Sequence, residues 1–123
     1  MREILFRGKK TISGEWVEGG YYENDTGKYV ITPAFVAHLV DPETVGQYTG
    51  LTDKNGRKIF EGDILRGQYD EDNPEDYTFL EAVWNNGWRI TQGRGDYDFL
   101  EEFDCQRCEV IGNIYDNPSC WKA

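Results

Sequence analysis

Apolar and polar residues alternate along most of this chain in short runs, broken by Gly, Asn and Asp. Glu3–Arg7 places Ile4 and Phe6 on one face, a period of two that predicts a strand, and Gly8-Lys9-Lys10 is expected to end it. Glu15–Glu23 carries Trp16, Val17, Tyr21 and Tyr22 around Gly19-Gly20. Paired glycines inside a strand predict a bulge or a sharp bend. Asn24-Asp25-Thr26-Gly27 closes a predicted hairpin onto Lys28–Thr32. A short apolar strand, Ala34–Val40, a turn at Asp41-Pro42-Glu43-Thr44 and a strand at Val45–Thr49 follow. From Gln47 to Leu65 the signals are densest. Asp53-Lys54-Asn55-Gly56 predicts a tight turn with Gly56 at positive φ, because Asn-Gly tolerates that conformation. Glu61-Gly62-Asp63 is a second turn that launches Ile64-Leu65 into a new strand, and Asp53 and Asp63 are suited to accept backbone N–H groups two residues on.

Beyond Leu65 the pattern changes. Tyr69–Asp76 is an acidic, proline-containing stretch that reads as a loop. Tyr77–Trp84 and Trp88–Gln92 flank Asn85-Asn86-Gly87 and predict another hairpin, ended by Gly93-Arg94-Gly95. Phe99, Leu100 and Phe103 have helical spacing, so Asp96–Phe103 reads as a short helix. Glu109–Tyr115 is a strand stopped by Asp116-Asn117-Pro118. Many short strands with Gly/Asn turns predict a mainly β fold, a small barrel or roll of antiparallel strands with at most one short helix. At 123 residues the chain fits one domain spanning 1–123, the alternative being two small lobes, about 1–66 and 67–123, that share a core.

Three blocks resemble the YopX-like proteins of bacteriophages and prophages. The first is Arg2-Glu3-Ile4-Leu5-Phe6-Arg7-Gly8 with Gly14-Glu15-Trp16-Val17. The second runs Val40-Asp41-Pro42-Glu43-Thr44-Val45-Gly46 and continues through Gln47–Leu65. The third is Val110-Ile111-Gly112-Asn113-Ile114-Tyr115-Asp116-Asn117-Pro118. Gly67 to Cys108 matches weakly and reads as a variable insert. The resemblance implies a small, mostly β protein of SH3-like barrel character in a bacterial host, and it implies no catalytic residues.

Charge divides the chain unevenly. Residues 1–60 hold 8 acidic and 8 basic side chains, whereas residues 61–123 hold 15 acidic and 5 basic, so the whole net charge of −10 lies in the second half. Such a surface repels a nucleic-acid backbone, whose affinity comes from Lys and Arg, and duplex nucleic acid is not an expected partner. It suits a basic host or phage protein. The plainer account is that excess acid keeps a small protein soluble. No apolar run approaches the roughly 18 residues that cross a membrane, and Met1-Arg2-Glu3 leads directly into a strand pattern. The expected location is the cytoplasm, where Cys105, Cys108 and Cys120 would be reduced thiols.

Little in the chain carries catalytic chemistry. Cys105-Gln106-Arg107-Cys108 has C-x-x-C spacing, but a structural zinc needs four ligands and only Cys120 and the distant His38 remain. A redox pair works at a helix N-terminus, whereas here the pair precedes a strand beside Glu101, Glu102 and Asp104. His38 reads as a partly buried strand residue, no phosphate-cradling glycine loop occurs, and no cofactor is implied. The abundant carboxylates leave a metal-dependent hydrolase as one alternative function. Self-assembly through open strand edges, giving a homo-oligomer, is another. The favoured expectation is a non-enzymatic phage or prophage accessory protein, a small β module that binds a protein partner through its acidic half. Tyr69–Asp76 and Asp96–Asp104 each carry five carboxylates and no Lys or Arg. The candidate contacts are Asp70, Asp72, Glu75 and Asp76 as a charged rim, with Trp84, Trp88 and Tyr97, alongside Phe99, as apolar anchors. SH3-like barrels bind peptides through such aromatic-lined grooves.

Overall fold

A computed structural model describes residues 4–70, 72–73, 75–92 and 96–117. Arg2 and Glu3, the Gly93-Arg94-Gly95 stop, Pro118 and Cys120 lie outside the described residues. The chain divides into two compact units, residues 1–50 and 51–123.

The first unit is built from β1 (Phe6–Lys9), β2 (Trp16–Asn24), β3 (Gly27–Ile31), β4 (Ala37–Val40) and β5 (Gly46–Thr52), the last of which runs on into the second unit. Their order in the sheet is β4-β3-β2-β1-β5. Strand β2 changes partner at its paired glycines: Trp16 to Gly19 pair with β1, and Gly20 to Asn24 pair with β3. The bend expected there is therefore a hand-over between two neighbours. Gly19 has no room for a side chain, since a Cβ would stand 1.9 Å from the carbonyl oxygen of Ile31. β1 ends at Lys9, within the Gly8-Lys9-Lys10 break that the sequence predicts, but Gly8 itself is not the stop. It pairs with Val17 inside the strand, and a Cβ there would meet the Val40 side chain at 2.9 Å. Close approach is the reason for glycine at this point. Val30 and Val40 face inward and are buried, while Tyr22, Tyr29 and Leu39 fall on the opposite face by the two-residue period.

The turn after β5 folds as its sequence predicts. Gly56 has φ +81° and its N–H donates to the carbonyl of Asp53 at 3.0 Å, while the N–H of Asp53 donates to the carbonyl of Arg57 at 2.8 Å. The chain returns as β6 (Lys58–Phe60), the neighbour of β5 in strand order. After a second turn, with Gly62 at φ +90°, come β7 (Asp63–Gly67), β8 (Thr78–Trp84), β9 (Trp88–Thr91), β10 (Asp98–Phe99), the single-turn helix α1 (Glu102–Cys105) and β11 (Cys108–Asn113). Here Asp63 serves the chain behind it: its Oδ2 accepts the N–H of Phe60 at 2.7 Å. The second sheet has the order β10-β9-β8-β7-β11 and is antiparallel throughout. Leu65 lies opposite both Leu80 and Val110, and Ala82 opposite Ile90, so one face of the sheet is apolar. Ile59, Leu100, Cys105 and Cys108 complete this core, and Trp88 packs against it.

Two expectations are corrected. The fold is mainly β, but among the described residues the strands form two antiparallel sheets and no closed barrel. In the first unit the end of β1 does reach β4, through an isolated Lys10–Val40 bridge made by the Thr11 N–H on the carbonyl of Leu39 at 3.1 Å and the Asp41 N–H on that of Lys9 at 2.9 Å. One isolated bridge curls a sheet without continuing its ladder. The second correction concerns Asp96–Phe103, which is not one helix. Pairing of Asp98 with Ile90 and of Phe99 with Arg89 holds its first half extended, and the N–H of Leu100 donates to the carbonyl of Trp88 at 3.0 Å. Helix begins only at Glu102, where the Asp104 carboxylate accepts the N–H of Glu101 at 3.1 Å.

Candidate functional site

The second unit contains a cleft of about 540 Å³. Its apolar floor is Leu80 of β8 and Ile90 of β9, both buried, flanked by Thr78 and Gln92. Its walls are Asp98 and Phe99 on β10, Glu101, Phe103 and Asp104 around α1, and Tyr69 just beyond β7. Three carboxylates and three aromatic rings thus surround one apolar floor.

Each wall is held by identifiable contacts. Gly67 makes room for Tyr69, because a Cβ there would stand 2.7 Å from the tyrosine ring. The Tyr69 hydroxyl donates to Oδ1 of Asp104 at 2.9 Å and lies 3.6 Å from the Cys108 sulfur, and the ring sits 6.3 Å from that of Phe103. Burial, followed by the neighbouring Cys108 and Asp104, drives the tyrosine pKa well above its usual range, so the hydroxyl remains a donor at neutral pH. Both oxygens of Asp104 are engaged, one by Tyr69 and one by the Glu101 N–H. Two arginines lie over the rings: Arg89 is 3.9 Å from the Phe99 centroid and Arg107 is 4.6 Å from that of Phe103. Asp98 and Glu101 are exposed.

The residues singled out from sequence fall in several places. Asp70, Asp72, Glu75 and Asp76 are exposed in a loop shaped by its own bonds, among them the Asp72 N–H on Oδ1 of Asp70 at 3.0 Å and the Asp76 N–H on the carbonyl of Asn73 at 3.0 Å. None of the four lines the cleft. Trp84 and Trp88 face each other across the β8–β9 hairpin, with centroids 5.0 Å apart and rings edge to face. Trp84 is 60% exposed, and Trp88 leans on the core. Tyr97 is exposed, and its carbonyl accepts from Arg89 at 3.4 Å. The structure does bring the beginning of one acidic segment, Tyr69, against the other, at Phe103 and Asp104. The sequence places Asp98, Glu101 and Asp104 in the acidic stretch Asp96–Asp104, but neither they nor Phe103 are among the candidate contacts. Their cue was the interleaving of acids and aromatics from Asp96 to Asp104, hidden by reading that stretch as one helix.

The cysteines and the histidine offer a different picture from a reactive site. Cys105 closes α1 and Cys108 opens β11, and both are buried free thiols. Burial first, then Cys108, Asp104, Glu102 and Asp53, push the Cys105 thiol up to about 11, and burial raises Cys108 as well. A thiol so placed stays protonated at neutral pH and is a poor nucleophile and metal ligand. His38 is half-buried in β4 opposite Val30. Among the described residues, no group of three or more His, Cys, Asp or Glu side chains is arranged to hold a metal ion, and no helix is long and apolar enough to cross a membrane.

The fold and the cleft define a mainly β protein of two compact units with a carboxylate-rich, aromatic-walled hollow in the second. The chain belongs to the YopX protein family, whose family model matches residues 5–121. Its fold is similar to that in the crystal structure of protein EF1440 from Enterococcus faecalis, with 26% sequence identity over 99% of this chain and 100% of that one, and a TM-score of 0.59. No curated protein matches the chain.

Proposed function

We propose that this protein is a phage or prophage accessory module that binds a protein partner, and that the cleft receives a basic segment of it. The observation that supports the reading is the pairing of Asp98, Glu101 and Asp104 with Tyr69, Phe99 and Phe103 around an apolar floor. A Lys or Arg side chain has an apolar stem and a cationic end, and such a hollow offers a counterpart to each. Asp104, held by Tyr69 and by the Glu101 N–H, serves as a fixed acceptor. Asp98 and Glu101 are the exposed carboxylates that a cation meets first. The loop acids Asp70, Asp72, Glu75 and Asp76 act at longer range by speeding encounter, and Trp84 offers an exposed apolar contact beyond the cleft.

The test is a titration with a Lys/Arg-rich peptide at two salt concentrations, followed by amide shifts of the labelled protein. Perturbations should centre on β10 and α1, and affinity should fall with salt. Asp98→Asn with Glu101→Gln should weaken binding while leaving the unfolding transition in place. Equal affinity in that variant, or shifts confined to the first unit, refutes the assignment.

A second reading, self-association, draws on the first unit. Phe35 is 90% exposed at φ +61°, a conformation uncommon for a bulky residue, and Leu39 and Tyr22 are also exposed. Sedimentation of the parent and of Phe35→Ser across a concentration series separates the two readings. A concentration-dependent dimer lost in the variant supports self-association, and a monomer throughout excludes it.

A further inference from the structure

Beside the cleft lies a smaller hollow of opposite character. Lys54, Gln68, Gln106 and Arg107 line a space of about 230 Å³. Three separate stretches of chain converge to make it. Lys54 comes from the turn after β5, and its N–H donates to the carbonyl of Cys108 at 3.1 Å. Gln68 follows β7, and its N–H donates to the carbonyl of Arg107 at 2.9 Å. Gln106 and Arg107 join α1 to β11, their N–H groups bound to the carbonyls of Glu102 at 3.1 Å and Asp104 at 3.0 Å. The backbone under all four side chains is therefore cross-tied.

The chemistry of the lining is uniform. Every one of the four side chains carries N–H donors, two are cations and none is an acid. This stands out where residues 61–123 carry 15 acids against 5 bases. Arg107 also has its guanidinium over the Phe103 ring, at 4.6 Å from the centroid. The ring restricts where the guanidinium can lie, and a guanidinium suits two parallel bonds to a carboxylate or phosphate. The volume is below that of typical small-ligand pockets, which run from about 300 to 1,000 Å³. A single oxyanion group fits this scale better than a nucleotide does.

We infer that Lys54, Gln68, Gln106 and Arg107 form an oxyanion-binding pocket that takes one carboxylate or phosphate group. Recognition is by charge-assisted hydrogen bonds from Arg107 and Lys54, with the two amides donating to the remaining oxygens. The inference does not depend on a basic segment occupying the cleft, because its probe is a small anion.

The experiment titrates inorganic phosphate and, separately, acetate into the isotopically labelled chain. Chloride at matched ionic strength and pH is the control. The readouts are the side-chain amide resonances of Gln68 and Gln106 and the Nε–H of Arg107. Saturable shifts with phosphate, with acetate or with both, and none with chloride, are the expected result. The relative affinities of the two anions identify which oxyanion the pocket prefers. Lys54→Gln, at an exposed position, should weaken binding by about fivefold, the upper range for an exposed charge pair. Arg107→Gln should abolish it. Should Arg107→Gln fail to fold, Lys54→Gln decides alone. Shifts that do not saturate with either anion, or an unchanged affinity in Lys54→Gln, overturn the assignment.

Discussion

Removing the carboxylate of Asp53 tests how the second unit is held together. Asp53 is buried, and three backbone N–H groups converge on it. Oδ1 accepts from Asn55 and from Arg57, each at 2.9 Å, and Oδ2 accepts from Val110 at 2.8 Å. One side chain thus closes its own turn and ties that turn to β11, 57 residues later. A hydrogen bond to a charged group contributes about 1.5–3 kcal/mol, and a buried donor left without an acceptor costs about 1–3 kcal/mol. Asp53→Asn keeps the shape. Its one oxygen can still serve the two turn N–H groups, but its amide then points at the Val110 N–H, donor against donor. Asp53→Ala removes all three acceptors, yet Asn55 and Arg57 are exposed, and water can replace the bonds they lose. Val110 is buried and has no such recourse. The Val110 N–H therefore dominates both variants. Each should lose about 2–4 kcal/mol, with the two values close together. That is a large share of a typical total of about 5–15 kcal/mol. Urea unfolding measures the loss, and hydrogen exchange at the Val110 amide locates it. An Asp53→Asn variant within about 0.5 kcal/mol of the parent, a size ordinary for surface changes, would refute the reasoning.

Three further outcomes are expected. Gly56→Val should cost about 1–3 kcal/mol through backbone strain alone, because φ is +81° and no atom lies within 4 Å of the added Cβ, whereas Gly56→Asn should cost less. Urea midpoints of the two variants check this. Cys105 should alkylate slowly at pH 8 in the folded chain and rapidly in urea. Since folding raises its pKa from 9.0 to about 11, the unfolded state ionises first, and stability should decline as pH rises across that window. A Cys105→Ala chain that declines just as much would contradict this. Duplex DNA should not be retained at physiological salt, and micromolar binding to random duplex in a mobility assay would show that Lys9, Lys10, Lys54, Arg57 and Lys58 outweigh the acidic half.

Local signals were legible in the sequence where a turn residue has one physical purpose. Asn55-Gly56 and Asn86-Gly87 mark turns, and Gly56, Asn86 and Gly87 all have positive φ. Gly19-Gly20 marks the bend at which β2 changes partner. Signals failed where a glycine answers to a distant neighbour. Gly8 reads as part of the stop at Gly8-Lys9-Lys10, where β1 does end, but the glycine itself sits inside the strand and is required by Val40, which lies 32 positions further along. Asp96–Phe103 failed for a related reason. Its helical spacing is real, but pairing with Ile90 and Arg89 overrides it for the first half. Barrel closure was the least legible feature, because it depends on how many rungs the Lys10–Val40 bridge extends, and side-chain patterns do not encode that number.

The same reasoning explains why the cleft was only half visible. Composition reveals that two acidic stretches exist, but it cannot say which acids share a surface. Tyr69 decides this. Its ring fits because Gly67 has no side chain, and its hydroxyl reaches Asp104 across 35 positions. With that bond formed, α1 stands over the apolar floor, and Glu101 and Phe103 stand with it. The four loop acids stay outside the cleft, and of their carboxylates Asp70 accepts a bond from its own turn, the Asp72 N–H. Charge near the cleft is therefore of two kinds. Asp104 is fixed by its own bonds and offers a set acceptor, whereas the exposed Asp98 and Glu101 are the charges a partner meets first in the interaction proposed for the cleft. Neutralising the loop should lower the rate at which a basic partner arrives, whereas neutralising Asp98 and Glu101 should shorten its stay. A kinetic comparison of the two variants at matched salt assigns each group its part. If both variants change the association rate alone, the carboxylates of the cleft are rim charges like the others, and the cleft is not the seat of binding.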